Sequence, residues 1–431
     1  MRITLCFIIF INLCISLFGQ VHFTRLNNED GLSHSEVKAI LQDSYGYMWI
    51  GTRNKLNRYD GCEFKVLDCY DPVANRRNNN IAALCEDANR LLWIGTDDGV
   101  FVYDPALETF TYLERWLNPD QSADFLYNWV SNIVADKEGN MWVVLPSRGI
   151  LKVNIQTKAY RLYSISEDTV FGKGGPLSLT VDEQGTIWAG CIEQGICRYD
   201  RKKDEFVRVL KETGMFQGKG VYTMLSYKEF LLIALHEGGL LKYNMDTKTL
   251  SLHDFPEVDK VMLRCLMMSK EEELWVGTNN GIYIYNVLTG SCTNAKNDSF
   301  DSHSLSNNTV TTMYTDREKG IWVGTLYGGL NYQSRSAENF TVYIPNDHPQ
   351  SVQSQWIHGL YWDEEAQKLW VGTEDEGCSV FDKNTSVFTP VNTHPTVTVT
   401  CIRKIDGNIW IGYFKNGLDV VSPSMKVTHY T

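Results

Sequence analysis

The chain runs to 431 residues, with 43% hydrophobic and 12% aromatic side chains and a formal net charge of −12. That length is too great for one small sandwich and allows a large core. The acidic balance, with no clustered Lys and Arg, excludes the electrostatic footprint of a nucleic-acid binder and of a protein held on anionic lipid.

The first residues differ from all that follow. Arg2 supplies a positive start, residues 3–18 are almost wholly apolar, and Gly19 is small at a plausible cut. This pattern predicts a signal peptide over residues 1–19 and a periplasmic mature chain. The apolar run is shorter than the roughly 20 residues a spanning helix needs, which favours a cleaved leader over an anchor. No membrane span is expected in the mature chain.

After residue 20 one motif recurs. It reads YMWIGT at 47–52, LLWIGT at 91–96, NMWVVL at 140–145, TIWAGC at 186–191 and FLLIAL at 230–235. It continues as ELWVGT at 273–278, GIWVGT at 320–325, KLWVGT at 368–373 and NIWIGY at 408–413. Copies lie about 40–50 residues apart, the period of a propeller blade. Each begins with an apolar segment, as in Val37-x-x-Ile40 and Val310-x-x-Met313. An Asp-x-x-Gly turn follows, as from Asp43 to Gly46 or Asp182 to Gly185. Asp tolerates turn geometry and Gly supplies positive φ. The tryptophan strand comes next, then a turn ending in Gly, a strand ending in Tyr-Asp or Tyr-Asn, and a short last strand. Neighbouring Trp and Ile or Val require a sheet with both faces buried. Helical periodicity is nowhere sustained. The expected fold is all-β, a β-propeller with four-stranded antiparallel blades.

Chemical motifs are scarce. P-loop, HExxH and GxSxG patterns are missing, and nine histidines are scattered singly. No catalytic residue, metal ligand or cofactor is therefore assigned. CxxC pairs are absent; Cys191 and Cys197 flank one short turn and are read as buried free thiols rather than a bridge. The repeated Asp resembles the Asp-box of sialidase-type propellers but sits one residue further from its Gly, and it is read as turn chemistry.

At these residues the chain resembles the two-component regulator propeller repeat of bacterial hybrid two-component receptors that control polysaccharide use. The start at residues 23–26, Asp30-Gly-Leu-Ser33 and 43–61 is close to that family's usual opening. The resemblance implies two seven-bladed propellers in series, followed by a β-sandwich, a membrane helix, a kinase and a regulator. Residues 21–333 would form one seven-bladed ring, closed by residues 22–26 pairing near 330–332. Residues 334–431 would be two blades of an incomplete second propeller, the chain being truncated relative to the family. One ring of eight or nine blades is the competing count.

Residues shared by all blades are scaffold, so binding should lie where blades differ, in the turns between second and third strands and in the blade links. The longest link, about 113–129, holds Trp116, Phe125, Tyr127 and Trp129. Arg148, His236 and Tyr327 stand in the turns, and Trp356 and His358 precede the eighth copy. Aromatic faces beside polar groups suit stacking on sugar rings; packing beneath a long loop is the alternative. Lys55 stands where the family has Gly, an altered turn. The function expected is extracytoplasmic sensing of an oligosaccharide by a receptor whose kinase lies elsewhere and which pairs as a homodimer. A protein-interaction propeller, or a polysaccharide-active propeller enzyme, is the alternative.

Overall fold

In the computed structural model the described residues are 21–431, apart from 118–126, 167–168, 210–215, 217–219, 237–238, 254–260, 271, 335–342, 344, 346–350 and 394–396. Residues 1–19, expected from the sequence to be a signal peptide, and Phe125 lie outside the described residues.

The described residues form nine four-stranded antiparallel sheets and one small two-stranded hairpin. Blade 1 has strands Val37–Gln42, Met48–Thr52, Leu56–Tyr59 and Phe64–Leu67, each paired with the next. The first strands of blades 2 to 6 are Ile81–Glu86, Asn132–Ala135, Pro176–Val181, Val221–Tyr227 and Leu263–Lys270. Blade 7 takes Val310–Thr315, Ile321–Thr325 and Leu330–Gln333 from its own repeat. Its outermost strand is Thr24–Leu26, with Thr24 opposite Tyr332 and Leu26 opposite Leu330. That pairing, the one expected, removes the open edge a ring cannot leave exposed. Blades 8 and 9 begin with Ile357–Asp363 and Val399–Ile405.

The chain divides into two compact units, one holding Met1–Asn297 with His303–Glu338, the other Asp298–Ser302 with Asn339–Thr431. In the first unit the innermost strands adjoin one another in chain order, and Val310–Thr315 of blade 7 lies against Val37–Gln42 of blade 1. Seven blades thus close on themselves.

Packing follows from the tryptophan strand. All five residues of Met48–Thr52, Leu92–Thr96 and Ile321–Thr325 are buried, so both faces of each blade are covered. The clusters lie between blades: Trp49 with Ile81, Phe101 and Tyr103, and Trp322 with Val37 and Ile50. Removing a tryptophan's roughly 200 Å² from water is worth about 5 kcal/mol as an upper bound. The glycine two residues after the Trp makes room for the next blade. A Cβ on Gly51 would stand 2.5 Å from Ile81 Cγ2, one on Gly190 2.5 Å from Val221 Cγ1, and one on Gly324 2.6 Å from Val37 Cγ1. The last contact is the ring closing.

In five of the seven blades of the ring one end of the inner strand is held by the repeated aspartate. Asp43 accepts the backbone N–H of Tyr45 and Tyr47 on Oδ1, and the Trp49 indole N–H at 2.7 Å on Oδ2. Asp87, Asp136, Asp182 and Asp316 hold Trp93, Trp142, Trp188 and Trp322 in the same way at 2.8–2.9 Å. The aspartates are turn and packing devices. In blade 6 Ser269 replaces Asp, and Glu273 accepts both the Ser269 hydroxyl and the Trp275 indole. In blade 5 Leu232 needs no acceptor, and Ser226 fills the Asp position with an unpartnered buried hydroxyl.

The described cysteines are free thiols; Cys191 and Cys197 lie 3.8 Å apart, Sγ to Sγ, unbridged. Among the described residues no helix is long and apolar enough to cross a membrane.

Candidate functional site

The opposite end of the inner strand carries a β-bulge in six of the seven blades of the ring. In blade 1 Val37 pairs with Thr52 and Ala39 with Gly51, leaving Lys38 unmatched. The same shift leaves Ala82, Leu177, Tyr222, Arg264 and Thr311 unmatched in blades 2, 4, 5, 6 and 7. Ser131, between buried Val130 and the strand starting at Asn132, is the blade 3 equivalent. Flanking residues such as Val37, Ile81, Val221, Leu263 and Val310 are 0% exposed, whereas all seven bulge residues are half-buried. A bulge re-aims one side chain without disturbing the packing on either side. Repeated on six inner strands, with Ser131 at the equivalent position of blade 3, it sets seven unlike side chains around one end of the ring, here called the mouth.

Contacts support that placement. Ser131 donates to the Leu177 carbonyl at 2.7 Å, and Thr311 donates to the Val37 carbonyl, each reaching the start of the next inner strand. The Lys38 ammonium donates to Asn80 at 2.8 Å, just ahead of Ile81, and lies 3.4 Å from Glu36. Tyr222 and His236 bring their ring centroids within 5.9 Å. Next to blade 5, the Arg264 Nε is buried and has no hydrogen-bond partner.

The rim is stiff. The buried threonine ending the tryptophan strand donates across its own turn, Thr96 to Gly99 O, Thr278 to Gly281 O and Thr325 to Gly329 O, all at 2.9 Å. The turn then donates to the link entering the next blade: Lys55 to Asn79 O, Gly99 to Asn128 O, Gly281 to Asn308 O and Gly329 to Ser35 O, at 2.7–3.0 Å. These hydrogen bonds fix the rim while leaving the bulge side chains free to differ.

The model of the two-component regulator propeller family matches residues 31–54, 75–98 and 304–327. Each matched segment covers the strand-and-turn unit described above. Those three segments are two-component regulator propeller repeats. A histidine kinase from Formosa agariphila is 26% identical over 166 residues, 37% of this chain and 12% of that protein. Two solved extracellular domains of putative hybrid two-component systems from B. thetaiotaomicron share the fold at 20% identity over 95% of this chain, with TM-scores of 0.62 and 0.61. The chain spans 53% and 60% of those structures.

On this propeller the sequence candidates separate. Trp116 lies on the short helix Leu113–Leu117, edge-to-face with Trp93 at 5.2 Å, with Lys158 over its other side. Burial pushes the Lys158 ammonium down to about 8. Tyr127 stacks on Tyr112 at 5.8 Å, carries Arg76 over its ring at 4.3 Å and donates to Glu114. Both aromatics are engaged by described neighbours, Trp116 by Trp93 and Lys158, Tyr127 by Tyr112 and Arg76. The hairpin of Tyr70–Asp71 and Arg76–Arg77 braces them, because fully buried Asp71 accepts Tyr112 N–H and Arg115 Nε, each at 2.8 Å. Burial alone would raise the Asp71 carboxyl, but Arg115 and three backbone N–H groups outweigh it and hold it below the usual range.

Trp129 is 47% exposed on the link beside the blade 2 turn, and Tyr327 is 73% exposed on the blade 7 turn. Arg148 is exposed on the blade 3 turn. His236 alone of the candidates touches a bulge residue, Tyr222. Trp356, 58% exposed, and His358, 3.6 Å from Glu374, belong to blade 8 in the second unit. A cavity of about 530 Å³ also lies in that unit, lined by Asn392, Thr393, Asp419, Lys426 and His429. Its carboxylate, Asp419, is engaged by the Tyr413 hydroxyl at 2.8 Å and by His429 at 2.6 Å. Among the described residues no group of three or more His, Cys, Asp or Glu side chains is placed to hold a metal ion. Lys38, Tyr222 and Arg264 were not singled out from the sequence. Their signal was the three-residue step of Val37-x-x-Ile40, which a regular strand cannot make on one face.

Proposed function

We propose that the chain is the extracytoplasmic ligand-sensing propeller of a two-component receptor, and that it binds an oligosaccharide at the mouth of the seven-bladed ring. One observation carries the reading: identical scaffolding presents seven different half-buried side chains at one repeated position. Such a ring combines rigidity with individuality, which a recognition site on a repeat protein needs. Tyr222 with His236 offers an aromatic platform for a sugar ring, and Lys38, Ser131 and Thr311 offer hydrogen-bond donors. The relatives described as a histidine kinase and as extracellular domains of hybrid two-component systems support a signalling role. Blades 8 and 9 repeat the interlock, a Cβ on Gly372 standing 2.3 Å from Val399 Cγ1, which supports reading residues 334–431 as blades of a second propeller.

Calorimetric titration of the mature chain against neutral, uronic and sulfated oligosaccharides tests the proposal. Binding to one class, lost in Tyr222→Ala with the melting temperature preserved, is the expected result. Absence of binding across the panel overturns it.

A further inference from the structure

The mouth contains one group whose chemistry is unfinished. Arg264 is the bulge residue of blade 6, between the buried Leu263 and the half-buried Cys265, whose Sγ would stand 2.4 Å from a Cβ on Gly277. Its side chain is half-buried and its Nε is buried without a partner. Lys38, the other basic residue of the ring, already meets Asn80 and Glu36. A buried guanidinium N–H left unpaired is costly, so an acceptor oxygen brought to it by a ligand would be favoured. A guanidinium matches the two oxygens of a carboxylate or sulfate through parallel N–H donors. The adjoining bulge residue is Tyr222, backed by His236, so an aromatic face and a fork of donors sit on neighbouring inner strands.

We propose that the ligand of this mouth is acidic, a saccharide bearing a carboxylate or a sulfate ester, and that Arg264 receives that group while Tyr222 carries the adjoining ring. The inference rests on the mouth being the binding site. The chain's net charge of −12 gives an anion no long-range attraction, so recognition is local and made by these residues.

The test uses the mature chain with three probes: sodium glucuronate, inorganic sulfate and glucose. The Arg264 Nε–H resonance is followed by nitrogen-15 NMR, and affinity by calorimetry. Glucuronate or sulfate is expected to shift that resonance, glucose is not, and Arg264→Gln is expected to weaken glucuronate roughly 10- to 100-fold, as for a hydrogen bond to a charged group. Arg264→Lys, which keeps the charge but loses the fork, should recover only part of the affinity. Equal shifts with glucose, an unmoved Nε–H at saturating anion, or unchanged affinity in Arg264→Gln overturns the proposal. A neutral saccharide whose binding is lost in Tyr222→Ala and kept in Arg264→Gln retains the mouth as the site and rejects the acidic ligand.

Discussion

The two ends of each inner strand follow opposite rules. At the turn end, Asp43, Asp87, Asp136, Asp182 and Asp316 repeat one hydrogen-bonding pattern to one tryptophan. At the mouth end, the bulge repeats as backbone while its residue changes from Lys38 to Ala82, Ser131, Leu177, Tyr222, Arg264 and Thr311. Stability favours one side-chain pair at the first end, kept in five of the seven blades, because every blade must fit the next. The second end demands only a constant backbone, and its chemistry can diverge. Six residues of strand thus separate scaffold from recognition.

If that division is right, substitutions in the shared interlock should be far more damaging than substitutions at the mouth. Gly324→Val is expected to have the largest effect. Its Cβ would meet Val37 Cγ1 at 2.6 Å and Thr312 Cγ2 at 2.8 Å, at the junction that closes the ring. Overpacking of this kind costs about 1–3 kcal/mol or more, and urea unfolding measures it. Gly412→Ala in blade 9 meets only Cys401 Sγ closely, at 2.8 Å, with no residue of a following blade within 4 Å. It should cost clearly less, and equal losses at the two sites would break the interlock argument.

Asp87→Ala comes next. It strips acceptors from two backbone N–H groups and the Trp93 indole and should cost about 2 kcal/mol. Ser226→Ala, at the same position of the blade with Leu232, removes a hydroxyl that has no partner and should be close to neutral. A matching loss in both variants would show that the position, rather than the indole bond, sets the stability.

Acid sharpens the comparison a third way. The Asp71 carboxyl is held below its ordinary value, chiefly against burial, by Arg115 and backbone N–H groups. The folded state therefore binds its proton more weakly than the unfolded chain does. The stabilisation is complete above the ordinary carboxylate pKa near ~4 and is lost as pH falls through the lower folded value. Melting temperature followed from pH 6 down to pH 3 should drop more steeply in the wild type than in Asp71→Asn, and parallel curves would remove Asp71 from the brace.

Most of the ring was legible because its causes are local and repeated. Trp–aliphatic neighbours demand two buried faces, the following Gly demands a close partner, and a lone strand at 24–26 demands an edge to pair with. The indole bond was equally visible, as a constant six-residue step from Asp to Trp, but only a folded turn shows that the two side chains meet. The long link was not legible. That Trp116 meets Trp93, and that Asp71, over 40 residues earlier, holds Tyr112 and Arg115, shows only in the fold. The bulge lay between these cases: the Val37-x-x-Ile40 step was noticed as apolar rhythm, and only the register against Ile50, Gly51 and Thr52 shows which residue is pushed out.

The smallest effect concerns the rim turn of blade 1, where Lys55 stands at the position of Gly99, Gly281 and Gly329. Lys55 keeps the backbone of its neighbours, with φ of 82° where Gly99, Gly281 and Gly329 have 92°, 89° and 76°. Its N–H makes the same 2.8 Å bond to the entering link that Gly99 makes to Asn128. The rim geometry is therefore imposed by the ring and not by glycine's freedom, and Lys55 bears a left-handed conformation that its Cβ resists. Lys55→Gly should relieve that strain, partly offset by the greater entropy of an unfolded glycine, for a net gain of about 0.5 kcal/mol. Lys55→Ala keeps the Cβ and should gain nothing. Chemical unfolding of both variants separates conformation from lost side-chain contacts: equal changes in the two would mean that the lysine, rather than its backbone angle, sets the stability of this turn.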